Sequence, residues 1–300
     1  MITGVTTADV APSEPLELSA PLARRAATTM CRSDPLNGET CAWYHGIWQY
    51  LRLMDLAGTP SHHADFYKRA LLGTPLSCDT PKVLVSAGAD YCMFAQVVAA
   101  FRSRGIEPAV TVVDVCDTAL YLNRWYAERI RCRLEAVRAD ILDFAPAIPF
   151  DALCAHAFLG FFSASRRPSL VAAWRKLLRP GGKVITVNRV RPGADGASRT
   201  GFSPEQVRVF RDSALRKAES LSNRIAIDPV EIAREAEVYA TKHGAWPVQS
   251  GEEIRNLFER SGFNIEELSG DLAAASSSAA IGGLAIPGAA GYVNIIASRR

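Results

Sequence analysis

From Pro81 onward the sequence alternates short, unbroken apolar runs with longer amphipathic ones. Lys82–Ser86 has the pattern of a strand, Tyr91–Arg104 of a helix, Ala109–Asp114 of a second strand and Thr118–Arg131 of the next helix. Leu134–Asp140 and Phe150–His156 continue as the third and fourth strands. Pro168–Leu178 is helical in pattern, and Arg179–Gly182 leads from it into a strand at Lys183–Asn188. Strand, helix and strand at this rhythm predict parallel strands joined by right-handed crossovers. Such strands are covered on both faces, so they read as continuous apolar runs. Residues 191–249 interrupt the rhythm with helices, whose starts at Ser203–Gln206 and Asp228–Glu231 combine a capping residue with a proline. A further capping box, Ser250–Glu253, heads a helix that buries Ile254, Leu257 and Phe258 and that Gly262 can stop. Phe263–Ser269 and Tyr292–Ala297 are the last two strands. The expected fold is α/β, a doubly wound, mostly parallel seven-stranded sheet with an N-terminal helical lid and a helical insertion before the last two strands.

The N-terminal third divides differently. Residues 1–33 mix acids and prolines without a basic start or an apolar core, which suits a flexible tail better than a signal peptide. Residues 34–76 read as a helical lid. In its first helix Tyr44, Ile47, Trp48, Leu51 and Asp55 share one side, and His45, Gln49 and Arg52 form a polar stripe beside it. Residues 77–300 then form one catalytic domain that contains the insertion 191–249. Ala273–Ala290 has too few large apolar residues for a membrane span and is expected to be a loop.

Composition narrows the partners. The 300 residues are 48% hydrophobic and 22% charged with a formal net charge of +3, too little to mark a nucleic-acid surface. Seven cysteines are spread from Cys31 to Cys154 without a C-x-x-C pair or a zinc spacing. They are expected to be reduced thiols of a cytoplasmic protein, with no metal site and no membrane partner.

Open α/β sheets bind ligands beyond the carboxyl ends of their strands. A run of small residues, Ser86–Tyr91, follows the first strand; Asp114 ends the second, Asp140 the third and His156 the fourth. Together with Phe150–Leu153 and Leu177–Val184, which reads Leu-Leu-Arg-Pro-Gly-Gly-Lys-Val, these elements resemble class I S-adenosylmethionine-dependent methyltransferases over about residues 80–190. The resemblance implies a Rossmann-like methyltransferase fold and S-adenosyl-L-methionine as cofactor. It assigns Ala87, Gly88 and Ala89 to the methionine portion, Asp114 with Val115 to the ribose, and Asp140 with Ile141 to the adenine. Alanines stand where this family has glycines, and Val85 replaces an acid often found in the first strand. Asp90 can meet the methionine ammonium or cap the following helix. A nicotinamide dehydrogenase would need G-x-G-x-x-G, and only one glycine is present there.

Methyl transfer from a sulfonium requires in-line approach, with a base only where the nucleophile carries a proton. His45 and His156 are the candidate bases. Tyr44 is expected to cover the cofactor, and Trp43, Trp48, Arg52 and Arg189, with Arg191, to line the substrate. The function implied is a small-molecule methyltransferase of specialised metabolism. Alternatives are an enzyme that moves another group of the same cofactor or rearranges its substrate, and a non-catalytic cofactor-binding protein. The oligomeric state is open, a homodimer included.

Overall fold

A computed structural model describes residues 14–33, 38–271 and 291–300. In chain order the elements are α1 (Leu16–Met30), α2 (Ala42–Leu53), α3 (Ala64–Leu72), β1 (Lys82–Ser86), α4 (Cys92–Arg102), β2 (Ala109–Asp114) and α5 (Asp117–Ile130). These are followed by β3 (Leu134–Arg138), β4 (Phe150–His156), α6 (Arg167–Leu177), β5 (Leu178–Val190), β6 (Thr200–Gly201), α7 (Pro204–Leu221) and α8 (Pro229–Lys242). The chain closes with β7 (Gly244–Ala245), α9 (Gly251–Arg260), β8 (Phe263–Asp271) and β9 (Gly291–Arg299).

Seven strands form one sheet in the order β3-β2-β1-β4-β5-β9-β8. Val83 of β1 lies in parallel register with Val110 on one side and Ala152 on the other, and β9 runs antiparallel to both of its neighbours. Alternate residues of β1 face opposite layers. Val83 and Val85 pack with Phe94, Phe101 and Tyr126, whereas Leu84 packs with Trp174 and Phe258. Both faces are covered, which is why these strands are apolar throughout. The starts expected for the insertion helices are present: the Ser203 hydroxyl accepts from Gln206 N, and Asp228 accepts from Val230 N and Glu231 N. No helix among the described residues is long and apolar enough to cross a membrane.

The flexible tail expected over residues 1–33 is corrected by α1. Its buried stripe consists of Ser19, Ala20, Ala23, Ala26 and Ala27. Small side chains give a weak hydrophobic period, yet they let helices approach closely: a Cβ built on Gly46 of α2 would stand 3.8 Å from the Cβ of Ala27. Ser19 Oγ donates to Gln49 Oε1 at 3.0 Å and lies 2.9 Å from the Tyr91 hydroxyl. Residues 1–13 and 34–37, and the loop expected at Ala273–Ala290, lie outside the described residues.

The lid and insertion segments, far apart in sequence, share one core. Ile47, Tyr50 and Leu51 of α2 pack with Phe210, Ala214, Ile232, Ala236 and Tyr239 of α7 and α8. Each large side chain so buried contributes about 1.5–3 kcal/mol. This body sits over the carboxyl ends of β1 and β4 and closes the crevice there.

Candidate active site

The order of the sheet reverses between β1 and β4, and the backbone turns sharply at both strand ends. Ala87, directly after β1, has φ 59°, and Ala157, directly after β4, has φ 51°. Ala87 N donates to Val113 O at 2.9 Å and Ala157 N to Val187 O at 2.7 Å, so neighbouring strands hold both turns. Left-handed backbone costs a residue other than glycine about 1–2 kcal/mol. Strain of this kind at the switch point of an α/β sheet marks a ligand site. Next to Ala87, a Cβ on Gly88 would stand 3.1 Å from the Asp90 carbonyl oxygen and 3.8 Å from Asn123 Nδ2. The loop thus carries no side chain larger than a methyl group from Ala87 to Ala89 and leaves no room for one at Gly88.

A cavity of about 470 Å³ opens at this point, between the strand ends and the α2–α7–α8 body. Ala87, Gly88, Ala89, Asp114, Val115, Asp140 and Ile141 all line it. Asp114 Oδ1 accepts from Cys116 N at 2.8 Å. Burial pushes the Asp114 carboxyl up to about 6, against the opposing pull of His45. Asp140 is exposed, and its Oδ1 accepts from Leu142 N at 2.9 Å in a local turn that fixes the carboxylate after β3. Exposed Val115 and buried Ile141 give an apolar edge between the two acids.

Asp90 and Arg52 both line the cavity and pair with one another there. Asp90 Oδ2 accepts from Arg52 Nη1 at 2.9 Å and Trp48 Nε1 at 2.8 Å, and Oδ1 accepts from Cys92 N at 2.6 Å. Arg52 Nη2 also donates to Glu14 Oε2 at 2.5 Å. With these bonds Asp90 holds the start of α4 and anchors α2, the capping alternative expected for it, while still lining the cavity. Arg52, expected at the substrate, is paired with two carboxylates. Trp48 keeps its ring face on the cavity while its indole N–H is taken.

The histidines differ in the same way. His45 is buried, and the neighbouring Cys116 and Cys41 sulfurs, with Asp114, hold its pKa above the ordinary value against the lowering effect of burial. His156 has the opposite surroundings. The Tyr67 hydroxyl donates to Ala155 O at 2.8 Å and lies 3.0 Å from His156 Nδ1, so the ring donates through Nδ1–H and keeps its lone pair on Nε2. That Nε2 is buried without a hydrogen-bond partner, and burial, with the charge of His63, lowers the pKa to about 3.

Another part of the lining is aromatic and cationic. Tyr44 stacks on Trp48 at 5.1 Å, meets Trp43 edge-on, and packs against Tyr239 at 5.7 Å, which in turn stacks on His243 at 5.0 Å. Arg189 lies over the Tyr292 ring at 6.0 Å. Arg191 is 6% exposed, its Nη2 is buried with no hydrogen-bond partner, and burial beside Arg189 lowers its pKa to about 9. Among the described residues no carboxylate pairs with Arg191. Tyr239 and His243 were absent from the sequence-based candidates, since nothing in the pattern of an inserted helix reveals which face meets a cavity.

No protein-family model matches the sequence, and no curated protein matches it. Solved structures do. A putative sarcosine dimethylglycine methyltransferase from Galdieria sulphuraria aligns over 95% of this chain and 98% of its own, with 8% identity and a TM-score of 0.52. Geranyl diphosphate methyltransferase, in a complex with SAM, aligns over 90% and 97% with 14% identity and a TM-score of 0.50. The pyocyanin biosynthetic protein PhzM aligns over 85% of this chain with 14% identity and a TM-score of 0.49, and the chain spans 58% of PhzM's length. At these identities the likeness is one of fold: the chain has the seven-stranded, Rossmann-like fold of class I S-adenosylmethionine-dependent methyltransferases.

Proposed function

We propose that the protein is an S-adenosylmethionine-dependent methyltransferase whose substrate is a small anionic molecule. The observation that carries this reading is a cavity whose lining combines two chemically distinct sets of groups: a small-residue backbone loop with two strand-end acids, and a buried arginine with an unpartnered Nη2.

The first set suits the cofactor. Gly88 leaves no room for a side chain, so backbone at 87–89 can meet the methionine portion directly. Asp114 can accept ribose hydroxyls with the oxygen that Cys116 N leaves free, and such donors favour its ionised form. Asp140 and Ile141, with Val115, suit the adenine. When bound, S-adenosylmethionine supplies an electrophilic methyl group on a positively charged sulfur.

The second set selects the acceptor. An anion facing Arg191 would satisfy the buried guanidinium and offset its desolvation, and a planar acid group can meet the fork in two places. Tyr44, Trp48 and Tyr239 exclude water and turn π faces toward positive charge, which they attract. His156 can accept a hydrogen bond at Nε2, but a group held near pKa 3 is a weak base. Rate acceleration in this reading comes from holding donor and acceptor in line, not from deprotonation.

Incubation with S-adenosylmethionine and a set of small acids, beside their neutral amides, tests the proposal. S-adenosylhomocysteine and a methylated acid should appear in equal amounts, with the amides left unchanged. Accumulation of methylthioadenosine would indicate transfer of a different group, and equal turnover of acids and amides would refute the anionic acceptor.

A further inference from the structure

Three of the scattered cysteines meet beside the cavity. Cys31 follows α1, Cys41 precedes α2 and Cys116 precedes α5. Cys31 Sγ lies 3.6 Å from Cys116 Sγ, Cys41 Sγ lies 3.5 Å from it, and all three sulfurs fall within 4.8 Å of one another. His45 lies one helical turn beyond Cys41 and is 7% exposed, and its Nδ1 is buried without a hydrogen-bond partner. Thr118 Oγ1 stands 3.2 Å from Cys31 Sγ.

We propose that Cys31, Cys41 and Cys116 form a zinc site that fastens the start of α2 to the loop after β2, with the unpartnered Nδ1 of His45 as the candidate for the fourth position. Zinc takes four ligands in a tetrahedron, and three thiolates with one imidazole are a common structural set. Zinc–sulfur bonds of about 2.3 Å place tetrahedral sulfurs about 3.8 Å apart. The two closest separations here are a few tenths of an ångström short of that edge. A disulfide would draw two sulfurs to about 2.05 Å and leave the third thiol buried beside it. The surroundings also favour thiolate. Cys116 occupies the N-cap position of a 14-residue helix, where the helix dipole stabilises negative charge, and the Thr118 hydroxyl can donate to the sulfur of Cys31. Binding exchanges three S–H protons, released to solvent, for three S–Zn bonds, and no oxidation state changes.

The site has a consequence for the neighbouring cavity. Cys116 N holds Asp114 Oδ1, so a metal on Cys116 Sγ would fix the acid two residues earlier. The zinc assignment does not depend on the methyltransferase reading, because its test reads metal alone.

Elemental analysis of the reduced full-length protein, followed by chelation and titration with Co²⁺, tests the proposal. One zinc per chain is expected after purification. Cobalt should then bring the intense d–d bands of a tetrahedral site together with a thiolate charge-transfer band, and zinc should bleach both. Cys31→Ser should weaken metal binding at least tenfold, since even outer-shell partners of a metal site typically contribute that much. Cys78→Ser, at an exposed thiol, should leave it unchanged. Absence of both metal uptake and cobalt bands in the reduced wild-type chain would overturn the site, as would spectra of octahedral form. Equal affinity in Cys31→Ser would overturn that ligand set, and if the variant fails to fold, the wild-type cobalt spectrum decides alone.

Discussion

Replacing Arg52 by Met should loosen the attachment of α2 to the loop after β1. The Arg52 side chain is 2% exposed and the Asp90 side chain 3%. Removing one partner of a buried pair leaves the other charge uncompensated, which typically costs about 3–5 kcal/mol. Trp48 Nε1 and Cys92 N still donate to Asp90, so the lower part of that range is expected. An unfolding entropy of about 2.1 cal/mol/K per residue gives about 0.6 kcal/mol/K for a chain of this length, so the lower part of the range corresponds to a fall in Tm of about 5–6 °C. Thermal melts followed by tryptophan fluorescence measure this, and Trp48 reports from the pair itself. Asp90→Asn and the double variant complete the cycle, in which neighbours this close should couple by about 0.5–3 kcal/mol. A Tm change below 1 °C for Arg52→Met, or strict additivity in the cycle, would refute the claim that this ion pair fastens α2 to the loop after β1.

Three further outcomes are expected. Ala87→Gly should stabilise the chain by about 0.5–1 kcal/mol in denaturant melts, because relief of the positive φ outweighs the added freedom of the unfolded chain; a destabilised variant would show that the Ala87 methyl packs usefully. The raised carboxyl of Asp114, at about 6, fixes a pH dependence. Its contribution to the stability of the free protein is present below about pH 4 and lost as pH rises through 6. Affinity for S-adenosylhomocysteine, whose hydroxyls need the ionised form, should run oppositely, level above pH 6 and falling about tenfold per unit below it; calorimetry at stepped pH checks this, and Asp114→Asn should flatten the profile. Arg191→Met should lower kcat/KM for the acid substrate by about 2–5 kcal/mol, roughly thirty- to several-thousandfold, while S-adenosylhomocysteine binds as before.

The sheet was legible because parallel strands advertise themselves. Lys82–Ser86, Ala109–Asp114 and Phe150–His156 are apolar over nearly their whole length, and their observed bounds coincide with the pattern. Capping residues located the starts of α7, α8 and α9 because their chemistry is local. Helix α1 escaped notice because a stripe of alanines carries little hydrophobic signal. β5 begins at Leu178, five residues earlier than its apolar run, since Leu178 pairs with Phe150 across an irregular register that no composition announces. Side-chain partners were the least readable. Nothing in the sequence links Arg52 to Asp90 across 38 positions, or Cys31 and Cys41 to Cys116, because those meetings depend on how α1 and α2 dock. The positions of Ala87 to Ala89, Asp114 and Asp140 at successive strand ends were readable, while the roles of Asp90, His45 and Arg52 turn on contacts the fold alone creates.

The central claim, that this cavity holds S-adenosylmethionine through Asp114, is tested most directly by calorimetric titration of S-adenosylhomocysteine into wild type and Asp114→Ala. Loss of a charged acceptor of ribose hydroxyls should weaken binding by about 1.5–3 kcal/mol, roughly ten- to a hundredfold. No detectable binding to the wild-type protein, or equal affinity in the two, would contradict it.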